Sequence, residues 1–162
     1  MRKRSSYKPR QVFNPLLVVS LKVPYVEQTL KFMSALDTFT SGKATRVEWG
    51  QLRDAINLAW VIDSQVYNNG QQEILEAGHQ GIKASWMRFQ RLGNFGHTLT
   101  ELQAVREALE VHGAQLQEIT FQQWSRACTS VAALERRAVK LAQANAEGDW
   151  FAIDMNGKKI EC

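Results

Sequence analysis

The segment TRVEWGQLRDAINLAWVIDSQVYNNG, residues 45–70, decides the predicted fold because it has the pattern of one long amphipathic helix. Thr45 is followed three residues later by Glu48, the spacing of a capping box, and residues 68–70 suit a helix C-cap. At about 100° per residue, its apolar side chains cover more than half of the helix surface. They are Trp49, Leu52, Ala55, Ile56, Leu58, Ala59, Trp60, Ile62 and Val66. Such a broad stripe predicts a helix at the centre of a bundle.

Four further helices are predicted around the central one. The first begins at Pro24, since proline fits the first helical position, and ends near residues 40–42. The third covers about residues 71–92. Apolar residues recur at helical spacing in both segments. In the first helix they are Val26, Leu30, Met33 and Leu36, with Tyr25, Phe32 and Phe39 beside them.

Two glycines, Gly78 and Gly81, lie one turn apart near the apolar face of the third helix. Glycine inside a helix costs up to about 1 kcal/mol relative to alanine, so we expect these two to permit close approach of another helix. Thr98 and Thr120 each open a further capping-box pattern. They mark the starts of a fourth helix and of a fifth, which extends to about residue 146.

The chain divides into three predicted parts. Residues 1–14 form a disordered basic arm, and residues 15–148 form the helical bundle, beginning with an apolar connector at residues 15–23. Residues 149–162 contain Asn156-Gly157 between apolar and aromatic residues, which predicts a small C-terminal β-hairpin packed on the bundle. The predicted fold class is therefore all-α, a five-helix bundle with two appended ends.

Composition excludes several classes of protein. The 162 residues are 44% hydrophobic and 22% charged, which is typical of one globular domain. No apolar run approaches the roughly 18 residues that span a bilayer, and the short run after the arm does not resemble a signal peptide. The two cysteines, Cys128 and Cys162, have no partnering motif. We expect a cytoplasmic protein that has no membrane partner.

The basic arm is the sharpest functional feature. Without its five cations the chain has 15 basic and 16 acidic residues, so the positive charge belongs to the arm. Arginine and lysine can neutralise phosphates, and an arm tyrosine can stack on a base. An acidic protein partner, or no specific role, remains open. The predicted nucleic-acid-binding residues are Arg2, Lys3, Arg4, Tyr7, Lys8 and Arg10.

No enzyme signature is found, and we predict neither catalytic residues nor a metal or cofactor. His79, His97 and His112 are isolated from one another and from cysteine. Asp63 falls inside the apolar arc of the central helix, where a carboxylate is costly unless it is paired. It is either a structural partner, a functional acid or a half-exposed residue, and the first interpretation is favoured.

Tryptophans beside arginines provide candidate anchors for a protein interface. The candidates are Trp60 with Arg53, and Trp86 with Arg88. The alternative is that these tryptophans belong to the core. The fifth helix carries several basic residues, but no segment resembles a DNA-recognition helix with its turn. These basic residues are Arg126, Arg136, Arg137 and Lys140.

The opening RKRSSYKPR, residues 2–10, and the run LTELQAVREALEVHGAQLQEITFQQWSRA, residues 99–127, resemble small proteins encoded by bacteriophages and prophages of proteobacteria. Those proteins share an Arg-Lys-Arg-Ser-x-Tyr-x-Pro arm. They also share a Gly-x-Ala-(Thr/Ser) segment, matched by residues 42–45, and a His-x-x-Gln-Leu motif, matched by residues 112–116. The resemblance implies an accessory protein made inside a bacterial host cell, and it transfers no residue roles.

Three functions follow as hypotheses. The first is a non-enzymatic regulator or DNA-handling accessory that binds nucleic acid through the arm. The second is an inhibitor or adaptor that binds a host defence or transcription protein through the bundle surface. The third is a virion or scaffolding component that forms homo-oligomers.

Overall fold

The computed structural model describes residues 25–145, with side chains to residue 140. It contains α1 (Tyr25–Thr40), α2 (Arg46–Ile62), α3 (Gln72–Leu92), α4 (Leu99–Glu118) and α5 (Phe121–Asn145). No strand occurs in this range. The predicted all-α class and five helices are confirmed. The basic arm, the connector at residues 15–23 and the predicted hairpin lie outside the described residues.

The central position predicted for the second helix is confirmed. α2 packs against α1, α3, α4 and α5, whereas α5 packs mainly on α2. Leu52, Ile56, Ala59 and Ile62 of α2 are completely buried. Because apolar residues surround more than half of α2, four helices are needed to remove them from water.

The predicted helix starts are confirmed by their hydrogen bonds. The Val47 amide donates to Thr45 Oγ1 at 3.1 Å, and the Thr45 amide donates to Glu48 Oε2 at 2.8 Å. Thr98 and Thr120 exchange equivalent bonds with the residues three positions later. Each box satisfies amides that have no partner within the helix.

The end of α2 differs from the prediction of one uninterrupted helix. The regular helix stops at Ile62, and a π-helical turn, Asp63–Tyr67, extends it. Asn68 then adopts a left-handed conformation, with φ of 47°, and its amide donates to the Asp63 carbonyl at 2.6 Å. Asparagine tolerates this conformation better than most residues, so the C-cap forms where its sequence signal lies.

α1 buries one of its two apolar sides. Phe32, Ala35, Leu36 and Phe39 enter the core, with Phe39 completely buried. Three of the other predicted apolar positions face solvent, because the four buried residues occupy the side of α1 that packs on the bundle. Tyr25 is half-buried against the core. Val26 is 66% exposed, Leu30 65% and Met33 45%. These three side chains, spaced four and three residues apart, form what we call the α1 stripe.

The close helix approach predicted from the glycines is confirmed for α3 and α4. A Cβ atom on Gly78 would overlap the Cβ of Ala108, and one on Gly81 would lie 2.9 Å from the carbonyl oxygen of Glu101. The missing side chains therefore allow the backbones of the two helices to meet.

We expect Gly78→Ala to lower the free energy of unfolding by about 1–3 kcal/mol, because the added methyl group must push α3 away from α4. Gly50→Ala in α2 is the matched control, since a Cβ there meets nothing within 4 Å. This control should raise the free energy of unfolding by up to about 1 kcal/mol through helix propensity. Urea unfolding measures both changes. Equal stability of the two variants would show that the α3–α4 contact is not tight.

Candidate functional site

Trp60 and Trp86, two of the predicted interface residues, lie at opposite ends of the seam between α2 and α3. At one end the Trp60 and His79 rings are 5.6 Å apart, and His79 Nε2 lies 2.7 Å from Asn57 Oδ1. Burial lowers the pKa of His79, against the opposing effect of Glu76. A neutral, hydrogen-bonded imidazole therefore joins the two helices here.

At the other end of the seam, Trp86 belongs to an aromatic cluster. Its ring centroid lies 4.7 Å from that of Trp49 and 5.5 Å from that of Phe89, and Phe95 stacks on Phe89 at 4.2 Å. The Arg46 guanidinium lies 5.0 Å from the Phe89 ring. Trp86 is half-buried and packs against the core.

Arg53 reaches this cluster through Trp49, because its guanidinium lies 5.5 Å from the Trp49 ring. The same guanidinium pairs with Asp54 at 2.6 Å and with Glu135 of α5 at 3.4 Å. Two carboxylates thus share the charge of Arg53. Its main role in this structure is to join α2 to α5.

Arg88 is also engaged within the fold. Its two terminal nitrogens bind the two carboxylate oxygens of Glu101 at 2.7 and 2.8 Å, and one of them donates to the Gly96 carbonyl at 3.2 Å. The guanidinium lowers the pKa of the Glu101 carboxyl. This bidentate pair ties α3 to the first turn of α4 and to the loop between them.

Asp63 and His112 are buried, but they do not form an acid–base pair. Burial raises the pKa of Asp63, while the backbone amides of Asn69 and Gln71 act in the opposite direction. Neither carboxylate oxygen of Asp63 has a hydrogen-bond partner among the described residues. The half-exposed interpretation of Asp63 is wrong, because the residue is completely buried, whereas its structural role stays a prediction. His112 lies with its ring 5.5 Å from Phe32, and burial lowers its pKa to about 4.

Within residues 25–145, no group of three or more His, Cys, Asp or Glu residues is placed to hold a metal ion. None of the helices in this range is both long enough and apolar enough to cross a membrane. Burial raises the pKa of the half-buried Cys128 thiol, so a smaller fraction of this side chain is in the reactive thiolate form.

Sequence reasoning missed Arg46, Asn57 and Phe95 as parts of the seam. Phe95 lies in the loop between α3 and α4, yet it is only 4% exposed. Its spacing of six residues from Phe89 and nine from Trp86 gave a weak signal for clustering. For Arg46 and Asn57 no sequence signal exists, since their partners lie on another helix.

The outer surface of α5 carries cations that none of these contacts uses. All four side chains are exposed, and none of them pairs with a carboxylate in the described part of the chain. They are Arg126, Arg136, Arg137 and Lys140. The predicted arm residues fall outside residues 25–145, so the structure does not relate them to this surface.

No known protein family, curated protein or solved structure matches this chain. The functional inference therefore depends on the chemistry of its own residues.

We expect the stability of the fold to depend on pH through His112. Its pKa is about 4 in the folded protein and about 6.5 when unfolded, so unfolding takes up a proton between these values. Above pH 6.5 His112 is neutral in both states and does not lower the free energy of unfolding. As the pH falls from 6.5 to 4, the free energy of unfolding decreases, because only the unfolded state binds the proton. Between pH 7 and pH 5, wild type should lose about 2 kcal/mol relative to His112→Gln. Urea unfolding at both pH values tests this, and parallel changes in the two proteins would contradict it.

Proposed function

We propose that this protein is a non-enzymatic accessory of a phage or mobile element that binds nucleic acid through its basic arm. The charge distribution supports the proposal. Residues 25–145 contain twelve Lys and Arg against twelve Asp and Glu, whereas residues 1–10 contain five Lys and Arg and no acid. The bundle is thus neutral overall, and the arm is the most cationic part of the chain.

The contacts in the bundle support the same division of roles. Arg53 and Arg88, the arginines expected beside the tryptophans, are held by carboxylates of the fold. The arm cations, in contrast, have no acidic neighbour in sequence. Cations of this kind neutralise phosphates and release counterions, which gives affinity without a preference for one sequence. A regulatory or DNA-handling accessory role agrees with this chemistry.

The test compares the full chain with a variant lacking residues 1–10. Binding of a labelled DNA duplex is followed by fluorescence anisotropy between about 50 and 200 mM NaCl. If the five arm cations each contact a phosphate, deletion should reduce the magnitude of the negative slope of log K against log salt by about 4.5, where K is the association constant. Affinity at the lower salt concentration should fall by at least tenfold.

A matched control removes exposed cations from the bundle while keeping the arm intact. Lys31→Gln, Lys43→Gln and Arg106→Gln together change three exposed positions outside α5. This triple variant should bind DNA like the wild type. Equal binding by the full chain and the arm deletion would overturn the proposal.

The α1 stripe favours a second function, binding of a host protein through the bundle surface. Val26, Leu30 and Met33 are adjacent on one side of α1 and are largely exposed. Contiguous exposed apolar side chains are typical of interaction surfaces, and an apolar helix or groove of a host protein is the partner that they suit.

For this second function, we expect Leu30→Glu to abolish capture of one host protein from nuclease-treated lysate. A charge at the centre of an apolar contact cannot be solvated once the contact forms. Val47→Glu is the matched control, because Val47 is 63% exposed but belongs to α2. Capture that survives Leu30→Glu, or that is lost in both variants, would exclude the α1 stripe as the binding surface.

A further inference from the structure

We infer that the outer face of α5 binds the phosphate backbone of a DNA duplex as a second contact, in addition to the arm. The inference extends the proposed function and rests on it. Arg126, Arg136, Arg137 and Lys140 are all exposed on this helix. We call this set the α5 basic face.

The four side chains share one side of the helix. Arg137 lies eleven residues after Arg126, which is close to three full turns, and Lys140 follows one turn later. Arg136 lies four residues before Lys140, at a spacing that makes the two side chains neighbours. With a rise of 1.5 Å per residue, the face is about 21 Å long. That length matches about six base-pair steps of a duplex.

The acidic residue of α5 is turned away from this face. Glu135 is the only Asp or Glu in the sequence of this helix, and at about 100° per residue it lies opposite Arg126. There it meets Arg53 of α2 at 3.4 Å. This contact keeps the carboxylate at the α2–α5 interface. A negative charge therefore does not interrupt the α5 basic face.

Charge is segregated between the helices even though the bundle is neutral overall. α4 carries Arg106 and four glutamates, whereas α5 carries four cations and one glutamate. The four glutamates are Glu101, Glu107, Glu110 and Glu118. Because α5 packs mainly on α2, its outer side is not covered by acidic α4. A polyanion would be attracted to α5 and repelled by α4, which orients the bundle.

The shape of the face favours duplex over single-stranded nucleic acid. Single-strand binding uses aromatic rings on which bases stack, together with cations. The aromatic residues of α5, Phe121 and Trp124, lie 5.8 Å apart on the other side of the helix. Cations on one side of a straight helix, without an aromatic platform, suit the phosphates of a duplex and give no base readout.

The test uses the full chain carrying Arg136→Gln, Arg137→Gln and Lys140→Gln, with the labelled duplex and salt range described above. If each cation contacts a phosphate, the magnitude of the negative slope of log K against log salt should be smaller by about 3 than in wild type. The substituted positions are exposed, so circular dichroism should show unchanged helix content. The control is the Lys31, Lys43 and Arg106 triple variant, which removes the same number of charges.

The outcomes separate this inference from the proposed function. A salt slope unchanged by the α5 substitutions, with binding still lost on arm deletion, overturns the inference and leaves the arm proposal intact. Weaker binding with both the α5 substitutions and the arm deletion supports the inference and the arm proposal. Loss with the α5 substitutions but not with arm deletion overturns both, because α5 would then be the main contact instead of a second one. If the substitutions abolish binding to vesicles containing phosphatidylserine but leave duplex binding unchanged, the α5 basic face is a membrane contact and the inference fails.

Discussion

The structure depends on the burial of α2, a helix whose apolar side chains cover most of its circumference. Such a helix cannot lie at an edge, because its exposed side would leave residues such as Leu52 or Ile62 in water. α1, α3, α4 and α5 all pack against it. The glycine contact between α3 and α4 brings these two helices close enough to cover α2 together.

The side chains predicted as interface anchors mainly form contacts between helices of the bundle. Arg53 joins α2 to α5, Arg88 joins α3 to the start of α4, and Trp86 belongs to an aromatic cluster with Trp49. Each arginine faces a carboxylate, so its charge is compensated inside the fold. A tryptophan and an arginine close together on one helix are thus weak evidence for an interface when both can find partners on a neighbouring helix.

The cations that form no ion pair within the fold are the ones whose charge can attract a binding partner. In the sequence such cations are concentrated in the arm, and in the described fold four of them lie on the outer side of α5, while Glu135 is held against Arg53. Other exposed cations, such as Lys31, Lys43 and Arg106, are scattered over the remaining helices and loops. In the function that we propose, the bundle is a scaffold of balanced charge that presents these α5 cations on one side. Affinity built from such charges is strongly dependent on salt and weakly dependent on base sequence.

The sequence by itself determined the number of helices, their starts at Thr45, Thr98 and Thr120, and the central place of α2. These features depend on local hydrogen bonds and on apolar periodicity, which are written into short segments. Only the tertiary structure decided which side of α1 is buried and whether Arg53 carries an available charge. Both depend on contacts between distant parts of the chain. Arg53 and Glu135 are 82 residues apart, and no local pattern relates them.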